Sequence, residues 1–428
     1  MLGSAAQNVI ALSDSLFLFH FSEVDFAAIG FAGVFYLVVA AIGFGFSRGG
    51  QIMIARRMGE KQPGLVGRTF YAMLYFELAL AVVMYLLLRY GAYYFFSLFV
   101  NSPEILQKSY DFLSNRAWGI FFSYTGVAII ALYSGVARST FILIDTVILA
   151  VTNIILDYAL IFGHWGFPEM GIAGAAVASS VAEALAFVVF FIYILFDKKA
   201  RTYNLFQLPK VDLKLIKAQY GLALPIVAQA FVGLGSWFIF FSLVENLGER
   251  PLAVTNLVRI IYLILSVPIW GFSSGVNTLV SHFIGLKKRH AVFPIVWKTA
   301  QLSFIVTLLL SLPVVLFPQE MLYPLLGGSD KSLIDEAQPV LYVLFFILLL
   351  FSISGIFFNG LAGTGATMYG LWMQFFCALI YLGIIYVVIT YTKGGLIWAW
   401  GAEIVYWIII GGISIYYLKS RKWYNMQV

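Results

Sequence analysis

Two carboxylates stand where apolar residues would be expected. Asp157 closes an Asn-x-x-x-Asp pair with Asn153 inside the run TNIILDYALIF (152–162), and Asp14 interrupts an apolar run over 2–19. A charge at bilayer depth costs roughly 2.5 kcal/mol or more, so such residues are rare and mark functional sites. Asn153 and Asp157 lie one helical turn apart on one face. Counted from helix ends at His20 and Gly163, Asp14 and Asp157 each sit roughly 9 Å deep, and Ser179 about 12 Å deep. The four therefore fall in one layer. Two carboxylates held together in low dielectric cannot easily both ionise, and a proton or Na⁺ would relieve the repulsion. The competing reading is packing: Asp157 bonded to Asn153 or Ser179, Asp14 merely interfacial, the amide and hydroxyl joining helices.

Further polar residues interrupt apolar runs. Glu183 lies one turn beyond Ser179 on the same face, placed to relay a proton, to line a ligand path or to serve structure. Glu403 aligns with Ser179 when Gly171 is laid on Gly395, and it shares with Arg259 a depth of about 12 Å. A buried ion pair would account for both; a second proton site is the alternative. Arg48, about 13 Å from the inner end at Arg57, either snorkels or faces a central cavity. Asp145 is close to a helix end and is expected to be solvated. His20, His164, His282 and His290 sit at span ends without clustering, and Cys377 is the one cysteine. Neither a metal site nor a disulfide scaffold is expected.

What must position these residues follows from composition. The 428 residues are 62% hydrophobic and 11% charged, against about 25% charged in soluble domains, so the chain is read as an all-α membrane protein. Runs of about 20 apolar residues cross a bilayer. Twelve spans are expected, over 2–19, 24–57, 64–89, 103–137, 140–163, 171–196, 216–245, 251–285, 291–316, 333–362, 367–391 and 395–418. A cytoplasmic N-terminus places Arg56, Arg57, Lys61, Arg68, Arg138, the cations of 197–217, Lys287, Lys288, Arg289, Lys298, Lys419, Arg421 and Lys422 inside. Only Arg89, Lys108, Arg116, Arg250, Lys331 and Lys393 then fall outside. Lys and Arg concentrate on the cytoplasmic side, so both termini are placed there, and the net charge of +6 is a topology signal rather than a nucleic-acid surface. MLGSAAQNVIALSDSLFLFHF lacks a basic leader and a cleavage site and reads as the first span.

The chain repeats itself. Segment 26–61 lies over 252–287 without gaps, with GFSRG against GFSSG, and Gln7 in the first span meets Gln229 in the seventh. Such periods are sought first because they define the architecture. Six spans per half leave both halves in the same orientation, a parallel repeat with binding near the repeat interface. The expected organisation is an N-terminal lobe (1–196), a basic cytoplasmic linker (197–217) and a C-terminal lobe (218–428). Gly45/Gly49 and Gly271/Gly275 have small-xxx-small spacing and are read as close helix packing. Tyr36 and Tyr262, at equivalent positions, are candidates to line an apolar binding cavity, together with Gln7, Gln229 and Arg48.

The stretch GVARSTFILIDTVILAVTNIILDYALIFGHWGFPEMGIAGAAVASS (135–180), with its N-x-x-x-D helix, glycine turn and G-x-x-G-A-A-x-A-S helix, resembles the multidrug and toxic compound extrusion (MATE) family. Segment 26–61, ending IMIARRMGEK, resembles the second helix of that family. The resemblance covers essentially the whole chain. It implies two six-helix lobes, alternating access, and export of amphipathic or cationic organic compounds against proton or sodium entry. The prokaryotic, DNA-damage-inducible-protein-like branch carries its cation site at positions matching Asp14, Asn153, Asp157 and Ser179. The sequence departs from the family at Gly3, which stands where the second repeat has Pro225, and it lacks the acidic residues another branch carries in its seventh and tenth helices. A secondary exporter in the plasma (inner) membrane is expected, a monomer surrounded by lipid, with no cofactor beyond the coupling ion. The alternative is a lipid-linked saccharide or lipid flippase of the same superfamily. An intramembrane enzyme would need a metal set or serine–base pair, which the sequence does not offer.

Overall fold

A computed structural model describes residues 2–98, 100–326, 331–392 and 395–426; the side chains of 2–9, 323–326, 331, 392 and 425 lie outside the description. The chain forms helices α1 (Leu2–Phe21), α2 (Glu23–Gly59), α3 (Gly64–Leu86), α4 (Ala92–Phe96), α5 (Pro103–Arg116), α6 (Gly119–Gly135), α7 (Thr140–Phe162) and α8 (Ile172–Phe196). There follow α9 (Leu213–Glu245), α10 (Glu249–Gly285), α11 (Val292–Leu316), α12 (Pro318–Leu326), α13 (Lys331–Gly363), α14 (Thr367–Val387) and α15 (Gly395–Lys419).

Among the described residues, ten helical segments are long and apolar enough to cross a membrane, and the bent pair α5–α6 makes an eleventh. With α1, apolar over Ile10–Phe21, these occupy the twelve expected spans. The fourth span, expected as one run over 103–137, is broken: α5 and α6 meet at 53°. The reason is composition, since α5 exposes Glu104 and Gln107 while burying Ser109, Phe112, Leu113 and Arg116, an amphipathic rather than lipid-soluble pattern. The third span runs on through a π-helical turn, Leu87–Gly91, into α4. Large apolar side chains left outside, such as Leu12, Phe238 and Phe376, suit a lipid-facing surface, where backbone polar groups must be satisfied within the helix.

The internal repeat is structural as well. Helices α2 and α10 are each 37 residues long, at the offset that aligned the sequences. Each is followed by a lysine in the left-handed region, Lys61 at φ 60° and Lys287 at φ 59°. Helices α8 and α15 are both 25 residues, preceded or opened by Gly171 at φ 55° and Gly395 at φ 71°.

By packing the chain divides into two compact units, Leu2–Val227 and Ala228–Val428, the division falling within α9 beside Pro225. In the first unit α7 packs on α8 and α1, and α2 on α6 and α5, around a core that includes Leu18, Ala32, Leu113 and Tyr124. In the second, α10 and α15 pack on α13, around Val258, Ile269, Leu348 and Trp400. Close glycine packing occurs in the first unit: a Cβ on Gly45 would stand 2.5 Å from Val227 Cγ2, and one on Gly49 2.8 Å from Ala223 Cβ. Gly275 has nothing within 4 Å of that position, so the packing role expected for it does not hold. Between α7 and α8 the turn needs glycine at 171, where a Cβ would stand 2.6 Å from Asp25 Oδ2. That oxygen accepts the Ile172 N–H at 2.9 Å and so caps α8 from another helix.

Candidate functional site

Three helices deliver the four residues of the predicted layer to one point. From α1 comes Asp14, from α7 Asn153 and Asp157, and from α8 Ser179; all four are at most 2% exposed. Asn153 Nδ2, which has two protons to donate, lies within hydrogen-bonding distance of Asp14 Oδ1 at 3.2 Å, Asp157 Oδ1 at 3.3 Å and Ser179 Oγ at 3.2 Å. Ser179 Oγ donates to Asp14 Oδ2 at 2.9 Å. Ser13, which sequence reasoning passed over, donates to Asp157 Oδ2 at 2.9 Å. Its signal was adjacency to Asp14 alone. Asn153 Oδ1 is buried without a partner. The amide nitrogen thus lies among three oxygens of three helices, where a positive group is favoured, and the orphaned acceptor adds a fourth. An all-oxygen set of this kind fits a proton or a hard cation.

Of the roles expected for Glu183, the structure shows a structural one, and the residue also lines a cavity. It forms a two-pronged ion pair with Arg116, Nη1 to Oε2 at 2.6 Å and Nη2 to Oε1 at 2.7 Å. Arg116, expected among the outer-side cations, is 1% exposed and ends α5 at the 53° bend to α6. Its guanidinium carbon lies 4.2 Å from the centroid of the Tyr36 ring. Asp14, Tyr36 and Arg116 line one cavity of about 130 Å³. Asp145, expected to be solvated, is 4% exposed; it lines a second cavity, of about 40 Å³, together with Ser123, Thr146 and Glu183. Glu77, which sequence reasoning also missed, is fully buried and accepts from Ser47 at 2.8 Å. Its signal, one acid inside the apolar run FELAL, was of the same kind as that of Asp157.

In the second unit the expected Glu403–Arg259 ion pair is not formed. Glu403 Oε1 accepts from Tyr262 at 3.0 Å and from the Trp407 indole at 3.1 Å. The Arg259 guanidinium lies 5.2 Å from the Phe241 ring centroid. The shared depth expected from sequence therefore does not bring the two side chains together as an ion pair. Gln229 spends its amide on the Thr367 carbonyl at 3.0 Å. Of the candidate cavity residues, Tyr36 lines a described cavity, whereas Arg48, Gln229 and Tyr262 line none of the three described. The Gln7 side chain lies outside the described residues.

A helical chain of twelve spans with buried ionisable clusters in both units has the construction of a multi-pass membrane transporter rather than an enzyme. A family model described as MatE matches residues 1–159 and again 225–387, so both halves carry the match. The chain belongs to this family, the MATE transporters. Among curated relatives, a probable multidrug resistance protein NorM from Thermotoga maritima is 23% identical over 99% of this chain and 90% of its own length. One of the same description from Rhizobium meliloti is 29% identical over 47% of this chain and 43% of its own. Solved structures share the fold. An outward-facing multidrug resistance MATE transporter of the MOP superfamily superposes with TM-score 0.89 at 18% identity, covering 98% of this chain and 93% of that one. A MOP-superfamily transporter from Pyrococcus furiosus, described as having a binding pocket of reversed polarity that suggests a different function, gives TM-score 0.87 at 19% identity with the same coverage.

Proposed function

We propose that this chain is a secondary active exporter that moves amphipathic or cationic organic compounds out of the cell against entry of H⁺ or Na⁺ through the plasma membrane. The single observation that carries the reading is the joining of Asp14 and Asp157 by Asn153 and Ser179 inside the first unit. A cation bound there neutralises the carboxylates and favours whichever conformation buries the site dry; an organic cation bound in the Asp14 cavity favours the other, and the two compete through differential affinity. The chain is organised as lobes 1–196 and 218–428 joined by 197–217, with both termini cytoplasmic, and it works as a monomer. The relatives described as multidrug resistance proteins support the substrate class.

A flippase for lipid-linked saccharides would need a cavity of net positive charge. Arg116 faces the Asp14 cavity, but its charge is matched by Glu183, which leaves the excess negative. The test is efflux of a fluorescent cationic dye from vesicles holding the purified protein, under an imposed pH gradient and then a Na⁺ gradient. One gradient should drive efflux, and Asp157→Asn should abolish it. Undiminished efflux by that variant would remove the site from the mechanism, and absence of dye movement under either gradient would favour the flippase.

A further inference from the structure

Asp145 is a buried carboxylate that the coupling layer does not use. It sits in the first turns of α7, 4% exposed, and its Oδ1 has no hydrogen-bond partner. Leaving a polar atom buried and unbonded is costly, and Asp145 lines a cavity of about 40 Å³. One water needs roughly 10–15 Å³ of such space, so the cavity suits a short water string and is far too small for a drug. The groups that face it can be named from each helix: Glu183 from α8, Ser123 from α6, Thr146 from α7 itself and Phe44 from α2. Thr146 gives its proton to the Ile142 carbonyl at 2.8 Å. Glu183 is the one other titratable group there, and it is paired on its far side with Arg116, which lines the Asp14 cavity. Asp145 is five residues from Thr140, the start of α7, hence about 8 Å from that helix end.

We propose that Asp145 is a second proton-carrying carboxyl of the first unit, exchanging protons between the cavity it shares with Glu183 and the side of the membrane at which α7 begins. The proposal rests on the reading of Asp14 and Asp157 as a proton-coupling pair. A proton leaving that pair leaves a carboxylate behind. Glu183 takes it by giving up a hydrogen bond from Arg116 and passes it to cavity water. The Asp145 carboxylate accepts it as a carboxylic acid, releases it to water at the helix end, and returns to carboxylate. No other reactant is consumed.

The test uses the full chain in vesicles, with Asp145→Asn, Asp145→Glu and Asp157→Asn side by side. Two rates are read: dye efflux driven by a pH gradient, and dye–dye exchange at equal pH on both sides. Asp145→Asn should lower gradient-driven efflux at least tenfold while leaving exchange within twofold of the parent, and Asp145→Glu should restore efflux. Equal loss of both rates in Asp145→Asn would make the residue structural and overturn the proposal. So would unchanged gradient-driven efflux in Asp145→Asn while Asp157→Asn loses it; there the coupling layer stands and Asp145 alone is dismissed. If Asp157→Asn keeps its gradient-driven efflux, the coupling reading itself fails. If only Na⁺ drives efflux, the layer keeps its role and the proton path through Asp145 falls.

Discussion

Glu183→Gln isolates what the buried ion pair contributes to the first unit. The substitution keeps shape and removes one charge, leaving Arg116 cationic at 1% exposure. In the parent, two charge-assisted bonds of 2.6 and 2.7 Å bind the guanidinium, and bonds to charged groups contribute about 1.5–3 kcal/mol each. Glutamine can accept one of them, but its amide N–H₂ then faces the other guanidinium nitrogen. Breaking one partner of a buried pair typically costs about 3–5 kcal/mol. The Tyr36 ring faces the cation in parent and variant alike, so that contact cancels and a loss of about 3–5 kcal/mol is expected.

Equilibrium unfolding of the purified protein in mixed micelles, followed by tryptophan fluorescence, measures the change. A companion variant carrying Arg116→Met with Glu183→Leu removes both charges together. Replacing a whole buried pair by apolar residues is often neutral, so the double variant should be more stable than Glu183→Gln alone. The reasoning would be refuted by a single variant within about 1 kcal/mol of the parent and a double variant whose loss is the sum of its singles. That pattern would mean the pair is hydrated and its charges independent.

Three further outcomes follow from the geometry. Gly45→Ala must push Val227 and its helix away, an overpacking cost of about 1–3 kcal/mol, while Gly275→Ala meets open space and should be neutral or stabilising by up to about 1 kcal/mol through helix propensity; melting temperatures in detergent compare the two. Asp25→Ala removes both the acceptor for the Ile172 N–H and the partner of Lys108 at 2.8 Å, and should cost about 1–2 kcal/mol as a lost cap, visible as faster amide exchange at the start of α8. At the opposite helix end, burial pushes the Asp197 carboxyl up, but the hydrogen bonds from Arg138 and the Lys199 N–H and the Arg138 charge outweigh it and hold it below its ordinary 3.8. A depressed carboxylate adds stability above its ordinary pKa and loses it as pH falls through the lower folded value. The anchoring of 197–209 should therefore persist from neutral pH to about pH 4 and fade below it, read as accelerated proteolysis at Lys198, Lys199 and Arg201.

Periodicity and apolar length made the spans, the repeat and the layer of Asp14, Asn153, Asp157 and Ser179 legible in the sequence. Each depends on quantities that run along one helix: rise per residue, turn spacing, distance from an end. Depth could therefore bring Asp14 and Asp157 together across 143 positions of chain, as the bonds through Asn153 bear out. What depth cannot supply is azimuth. Counting along the sequence gives Glu403 and Arg259 one depth, yet Glu403 turns to Tyr262 and Trp407 while Arg259 turns to Phe241.

The misread charges share a further cause. Counting cations by side of the membrane treats every Lys or Arg near a span end as solvated, a sound rule for Lys108, which reaches Asp25 while remaining 36% exposed. Arg116 breaks the rule because its span is broken: the 53° turn between α5 and α6 carries a residue at the end of an amphipathic helix into the bundle, where only a buried acid can receive it. Asp145 breaks it in the other direction: it lies near a helix end yet is 4% exposed, lining a cavity together with Phe44 and Phe190. In both cases the apolar pattern fixed where the helix runs, but the meaning of the charge was set by a neighbour distant in sequence. A charged residue within one or two turns of a span end is thus better judged by whether a break or a cavity adjoins it than by its count on either side.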